Sequence, residues 1–175
     1  MLYPAHLRDS LLLIAEAGFY RPVWSAEIVD ELRRNLVGQV ITEEQFDYLA
    51  GQLTDAFADA QIDGYQSLIA DLKCDQKDRH VLAAAIRGDV VAIVTFNVDD
   101  FPEESTKDYD ISVYSPDEFL MSLFAQDKEA VVEIVSEQGK RNSVAPKTLV
   151  EVADALAVAG VPRFSAAILE LGRNR

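Results

Sequence analysis

Cysteine is nearly absent: Cys74 stands alone among 175 residues, which excludes an internal disulfide and fits a reducing compartment. Positive charge is scarce too, with 16 Lys and Arg against 30 Asp and Glu and a formal net charge of −14. That is far from the basic surface with which proteins usually neutralise phosphates. An acidic chain can act on nucleic acid only if much of its charge surrounds a divalent cation, which then bridges carboxylates and phosphate. The other readings of the charge are solubility and attraction for a basic partner. No apolar run approaches the ~18 residues that span a bilayer. Residues Met1 to Arg8 carry neither a basic stretch nor a cleavable apolar segment. A cytoplasmic protein with no membrane association is expected. No Cys/His or Ser/His arrangement suggests a nucleophilic side chain.

What is present is a core. Apolar residues make up 49% of the chain, enough to bury a substantial interior, and helical and strand patterns alternate as in an α/β domain. The spacing predicts a helix over 6–17 that ends at Gly18. A short strand at Pro22-Val23-Trp24 and a helix capped by Ser25 follow, and then a helix opened by Thr42 with Gln45 as a weak capping box. Residues 75–87 read as a helix closed by Gly88-Asp89. The run Val90 to Thr95 (VVAIVT) reads as a strand buried on both faces of a parallel sheet. A second strand is expected at Ile111 to Tyr114, with a helix begun by Ser115-Pro116. Beyond Asp127 only helices are expected, over 127–138, 146–158 and 162–171, with a polar linker from Lys140 to Ser143. Trp24, Phe119 and Phe124 read as core. The domain boundary is placed near residue 125, between an α/β core (1–125) and a helical extension (126–175).

Three acids stand at the ends of these elements. Glu31 lies in the helix SAEIVDELRRNL, Asp78 in the first turn of KDRHVLAAAI, and Asp100, with Asn97 and Asp99 nearby, just after VVAIVT. Residues beyond the carboxyl end of a parallel strand line the crevice where ligands bind. Hard cations want oxygen ligands, and clustered carboxylates that bind one or two of them can generate hydroxide and hold a phosphate for in-line attack. Each position has a plainer reading as well. Asp78 can serve the helix dipole, Glu31 a solvated helix face, Asn97 and Asp100 a turn, and Asp75 the helix N-cap. His80 reads as a partly buried packing residue.

The same residues carry a family likeness. LYPAHLRDSLLLIAEAGFYRPVWSAEIVDELRRNL resembles the amino-terminal part of bacterial PIN domains with the pattern D-A-N-V-L-Y-P, a helix, W-S, and a helix bearing a glutamate. CDQKDRHVLAAAI resembles the acidic helix start D-P-D-D-R-H-V-L-A-A-A of that group, and VVAIVTFNVDDFP its strand and loop V-V-T-F-N-x-x-D-F-P. The three segments occur in order and span about residues 2–120. The resemblance implies a PIN-like three-layer α/β/α fold with a mainly parallel central sheet. It also implies a VapC-type toxin that hydrolyses RNA phosphodiesters as a metal-dependent endoribonuclease. Carried over by position, Glu31, Asp78 and Asp100 would be catalytic. The same three with Asn97 would hold Mg2+ or Mn2+, Asp100 by its charge and Asn97 by a supporting hydrogen bond. Asp75 and Ser25 would be auxiliary. An RNA substrate, a co-encoded antitoxin that inserts a segment bearing Arg or Lys, and a homodimer are the implied partners. The alternative within the family is a non-catalytic module that binds RNA or protein; outside it, an acidic interaction protein with no metal.

Two departures stand out. The family opens with a strand ending in D-x-N, whose aspartate is a primary ligand. Here Leu2-Tyr3-Pro4 aligns with L-Y-P, and Met1 falls where the pattern has valine. The expectation is a start codon lying further upstream, because GTG encodes valine and can also initiate. A true truncation would instead leave an inactive remnant. Without that strand, lower stability is expected, or a neighbouring segment or second molecule in its place. In addition, Gln76-Lys77 replaces P-D, which sets a cation beside the acids, where it would weaken metal binding or contact phosphate.

Overall fold

The computed structural model describes residues 4–141 and 147–173. In chain order its main elements are α1 (Ala5–Glu16), α2 (Ala26–Leu36), α3 (Glu43–Ala56), α4 (Arg79–Arg87), β1 (Ala92–Val94), α5 (Glu103–Thr106), β2 (Ser112–Tyr114), α6 (Pro116–Gln126), α7 (Lys128–Lys140), α8 (Leu149–Val158) and α9 (Pro162–Gly172). The fold is α/β and PIN-like, with helices at the carboxyl end. Of the expected polar linker, Lys140 is helical, while Asn142 and Ser143 lie outside the described residues, as do Met1, Leu2 and Tyr3.

Two compact units are present: one takes the chain through Tyr20 together with Ser115 onward, the other is Arg21–Tyr114. They part at Tyr20 and Tyr114, whereas the sequence suggested a boundary near 125. The helical unit gathers α1 with the carboxyl-terminal helices because Leu7, Leu11 and Ile14 share one apolar cluster with Leu120, Val131 and Leu156. A buried amide fixes α1 against α7. The Gln138 side chain accepts from the Ser10 hydroxyl at 2.5 Å and donates to the His6 carbonyl at 2.9 Å.

The α/β unit is built on local signals that the sequence displays. The Ser25 hydroxyl accepts the Ile28 N–H at 3.3 Å and starts α2. Thr42 and Gln45 form the expected capping box of α3. Trp24 makes a one-residue parallel bridge to Gln61, where a short strand was expected. Strands β1 and β2 run parallel, pairing Ala92 with Ser112, Ile93 with Val113 and Val94 with Tyr114.

Two expectations are corrected here. The strand is shorter than VVAIVT and is not buried on both faces, since Ile93 is 5% exposed but Val91 is 79% exposed. Among the described residues β1 has β2 as its single neighbour in the sheet, so its flanking valine has nothing to pack against. Helix α4 begins at Arg79 rather than Asp75, with Asp78 as its N-cap residue. The reason is a tight turn ahead of it: the Asp75 carboxylate accepts the Lys77 N–H at 2.9 Å, and the Asp75 carbonyl accepts the Asp78 N–H at 3.0 Å. Asp75 therefore makes a local turn of the kind short acidic side chains favour.

Candidate acidic site

Three segments of the α/β unit carry acids that act on Asp78. Helix α2, fixed by its Ser25 cap, carries the half-buried Glu31. The turn into α4 carries Asp75 and Asp78, and the short 3-10 turn Val98–Asp100 after β1 carries Asp100. A backbone bond ties the last two segments together, the Asp75 N–H donating to the Asp100 carbonyl at 3.3 Å. The post-strand loop is held by its own bonds: the Asn97 N–H donates to the Thr95 hydroxyl at 3.1 Å, and the Asp100 N–H donates to the Asn97 carbonyl, also at 3.1 Å.

The electrostatics centre on Asp78. Burial, and then the carboxylates of Asp100, Asp75 and Glu31, hold its carboxyl above the ordinary aspartate range, with His80 acting in the opposite direction. Both influences disfavour the ionised form, the first by desolvation and the second by like charge. Asp78 makes no side-chain bond to the start of α4 although it occupies the N-cap position. The structure thus brings Glu31, Asp75 and Asp100 within electrostatic reach of Asp78. Asn97 is exposed and engaged through its backbone, and Ser25 is fully buried and occupied as a cap.

Electrostatic reach is not ligation. Among the described residues no three His, Cys, Asp or Glu side chains stand close enough together to hold a metal ion. Charges interact over many ångströms in a protein, whereas ligands must converge on a point about 2 Å from each. The acids crowd Asp78 without converging on a common centre. Their donor chemistry, carboxylate oxygens from three segments, nonetheless suits a hard dication.

His80, read from the sequence as a partly buried packing residue, sits beside these acids and is buried. His80 is 8% exposed, and its Nδ1 lies 2.8 Å from the Lys77 carbonyl. A carbonyl can only accept, so Nδ1 carries the proton. Nε2 is buried without a hydrogen-bond partner and faces Glu31 Oε1 at 3.5 Å. At that separation Glu31 is within ion-pair distance of the imidazole. In the sequence, the only hint was a histidine placed among the apolar positions of RHVLAAAI.

Comparison with known proteins identifies the family. Residues 2–99, more than half of the chain, match the PIN domain model, and residues 116–170 match the VapC50 C-terminal domain. The chain belongs to the PIN-domain family. It is similar to a protein of Mycobacterium tuberculosis (strain ATCC 25618 / H37Rv) named "Putative ribonuclease VapC50", at 39% identity over 114 residues. The match covers 65% of this chain and 64% of that relative, so this chain spans less than two thirds of the relative's length. No solved structure matches. No helix among the described residues is long and apolar enough to cross a membrane.

Proposed function

We propose that this chain is a metal-dependent endoribonuclease, the toxin of a toxin–antitoxin pair, acting on RNA phosphodiesters in the cytoplasm. The observation that carries the reading is the meeting of acids from α2, the α4 turn and the post-β1 loop around Asp78, whose carboxyl they hold above its ordinary range. A bound Mg2+ or Mn2+ would supply the charge that bridges carboxylates to phosphate and activates water for in-line attack.

The residues divide the work. Glu31, Asp78 and Asp100 would provide anionic oxygens for the cation, and Asn97 would support with a neutral amide. Asp75 shapes the turn that presents Asp78, and Ser25 holds the start of the Glu31 helix. With a net charge of −14, the surface attracts a basic partner, in keeping with an antitoxin segment that offers Arg or Lys. A homodimer is part of the same reading.

The absence of a closed three-donor group among the described residues favours a second reading, a non-catalytic PIN-like module that binds RNA or protein. Incubating RNA with the chain and Mn2+, with and without a chelator, separates the two. Chelator-sensitive cleavage, lost in Asp78→Asn and Glu31→Gln, is expected. RNA binding without cleavage would establish the second reading instead.

A further inference from the structure

Resting on the RNA reading just given, and on no bound cation, we propose that Lys73, Lys77 and Arg79 are the residues through which this chain holds an RNA phosphodiester backbone beside Asp78. The three fall within one stretch, LKCDQKDR, at the turn that leads into α4. Burial of Leu72 and Cys74 in the core of the α/β unit turns Lys73, which lies between them, outward to solvent. The Lys77 main chain is held at both ends: its N–H donates to the Asp75 carboxylate at 2.9 Å, and its carbonyl accepts from His80 Nδ1 at 2.8 Å. Its side chain is exposed. Arg79 is half-buried, and its Nε donates to the Cys74 carbonyl at 3.4 Å.

These cations are not taken up by the acids around them. Among the described residues, no carboxylate forms an ion pair with Lys73, Lys77 or Arg79, whereas Arg33 in the same unit is tied to Glu43 at 2.8 Å. The nearest acids in the chain are themselves occupied or muted. The Asp75 carboxylate takes the Lys77 N–H, and the ionised form of Asp78 is disfavoured by burial and by its acidic neighbours. Lys77 also stands where the resembling pattern has an aspartate, so the charge at that position is reversed.

The charge balance makes the location decisive. A chain of net charge −14 repels a polyanion over most of its surface. At physiological salt, exposed charges are largely screened beyond about 8 Å, so a phosphate responds to the few groups next to it. Ammonium and guanidinium groups both donate to phosphate oxygens, the guanidinium with two parallel N–H bonds. Contacts of this kind position a strand without reading its bases. The patch therefore sets where the backbone lies and leaves the choice of sequence to other residues.

The test is binding of a single-stranded RNA oligonucleotide to the full chain, with chelator present, at several monovalent salt concentrations. Each lost phosphate contact should lower the slope of log affinity against log salt by about 0.7. Lys73→Gln and Lys77→Gln, both at exposed side chains, should each do so, and with Arg79→Gln added the combined loss should reach about 2. Lys77→Arg should keep the wild-type slope, and so should Lys128→Gln, which removes one charge from α7. In the wild-type chain, where no variant has to fold, bound RNA should shield Lys73 and Lys77 from acetylation. An unchanged slope in the Lys73 and Lys77 variants, or a fall of equal size in Lys128→Gln, overturns the proposal. So does an absence of binding at the lowest salt; RNA cleavage that persists with Mn2+ would then leave the RNA reading standing, and its loss would remove both.

Discussion

Two aspartates at helix starts, Asp117 in the helical unit and Asp78 in the α/β unit, meet opposite surroundings. The buried Asp117 carboxylate accepts the N–H groups of Phe164 at 2.9 Å and Arg163 at 3.2 Å, capping α9 from another helix. Asp78 caps nothing with its side chain and is surrounded by carboxylates. Around Asp117 the packing is dense: Phe124 meets Phe164 edge-to-face at 6.3 Å, and the Ser165 hydroxyl donates to the Ala153 carbonyl at 2.7 Å. Around Asp78 the turn is short, the sheet among the described residues is two strands, and His80 Nε2 has Glu31 at 3.5 Å but no hydrogen bond. One aspartate spends its charge on holding helices together; the other is set among like charges. Sites kept for chemistry commonly break the local rules that stabilise the rest of a protein.

The strongest way to break this comparison is to damage the helical unit alone. Phe164 is 0% exposed, and Phe164→Ala is expected to cost about 3–5 kcal/mol. Denaturant midpoints followed by far-ultraviolet circular dichroism should fall accordingly. Trp24, the single tryptophan and buried in the α/β unit against Phe57, gives an independent fluorescence signal. A Trp24 transition that stays in place shows that the units unfold separately; one that falls with the helical signal shows a single cooperative unit.

The paired aspartates give the next contrast. Asp117→Asn weakens one of the bonds to the α9 start and is expected to lower stability by about 1–3 kcal/mol, with cation binding unchanged. Asp78→Asn removes a charge that its neighbours oppose. It should leave the stability of the metal-free chain unchanged or raised, while RNA cleavage falls about 100-fold or more. Equal losses of stability in the two variants would erase the distinction drawn between them.

How much of this was legible in the sequence follows from the range of the interactions. Helix starts such as Ser25, Thr42 and Ser115 were readable because a cap is a bond between near neighbours; of the acids singled out, Asp78 and Asp100 stand at element ends while Glu31 lies in the middle of α2. The placement of α1 was not readable, since it depends on Gln138 reaching His6 and Ser10 some 130 residues earlier, |i−j| being 132 and 128. The turn that moved the start of α4 to Arg79 was hidden because Asp75 can serve as cap or turn with equal chemical ease. Inside an apolar helical pattern His80 read as packing, and it is buried; its contact with Glu31 was not readable, because the two stand on helices far apart in sequence.

The smallest expected effect is a difference in sign with pH. In the helical unit, bonds from the Ser115 hydroxyl and N–H hold the Glu118 carboxyl below its ordinary range, and bonds from the Thr148 N–H and hydroxyl do the same for Glu151. A lowered folded-state pKa means stability that is present above the ordinary glutamate value and lost as pH falls through the lowered one. Asp78 is displaced upward, by burial first and then by Asp100, Asp75 and Glu31. Its ionised form therefore costs stability, which is recovered as pH falls from above the raised value toward the ordinary aspartate range. In chelator-treated protein, mild acidification from neutrality should thus first raise the midpoint reported by Trp24, and stronger acidification should then lower the helical one. Asp78→Asn should remove the first change, and Glu151→Gln should reduce the second. A Trp24 midpoint that falls steadily from neutrality in both wild type and Asp78→Asn would show that like-charge crowding at Asp78 contributes nothing to the stability of its unit.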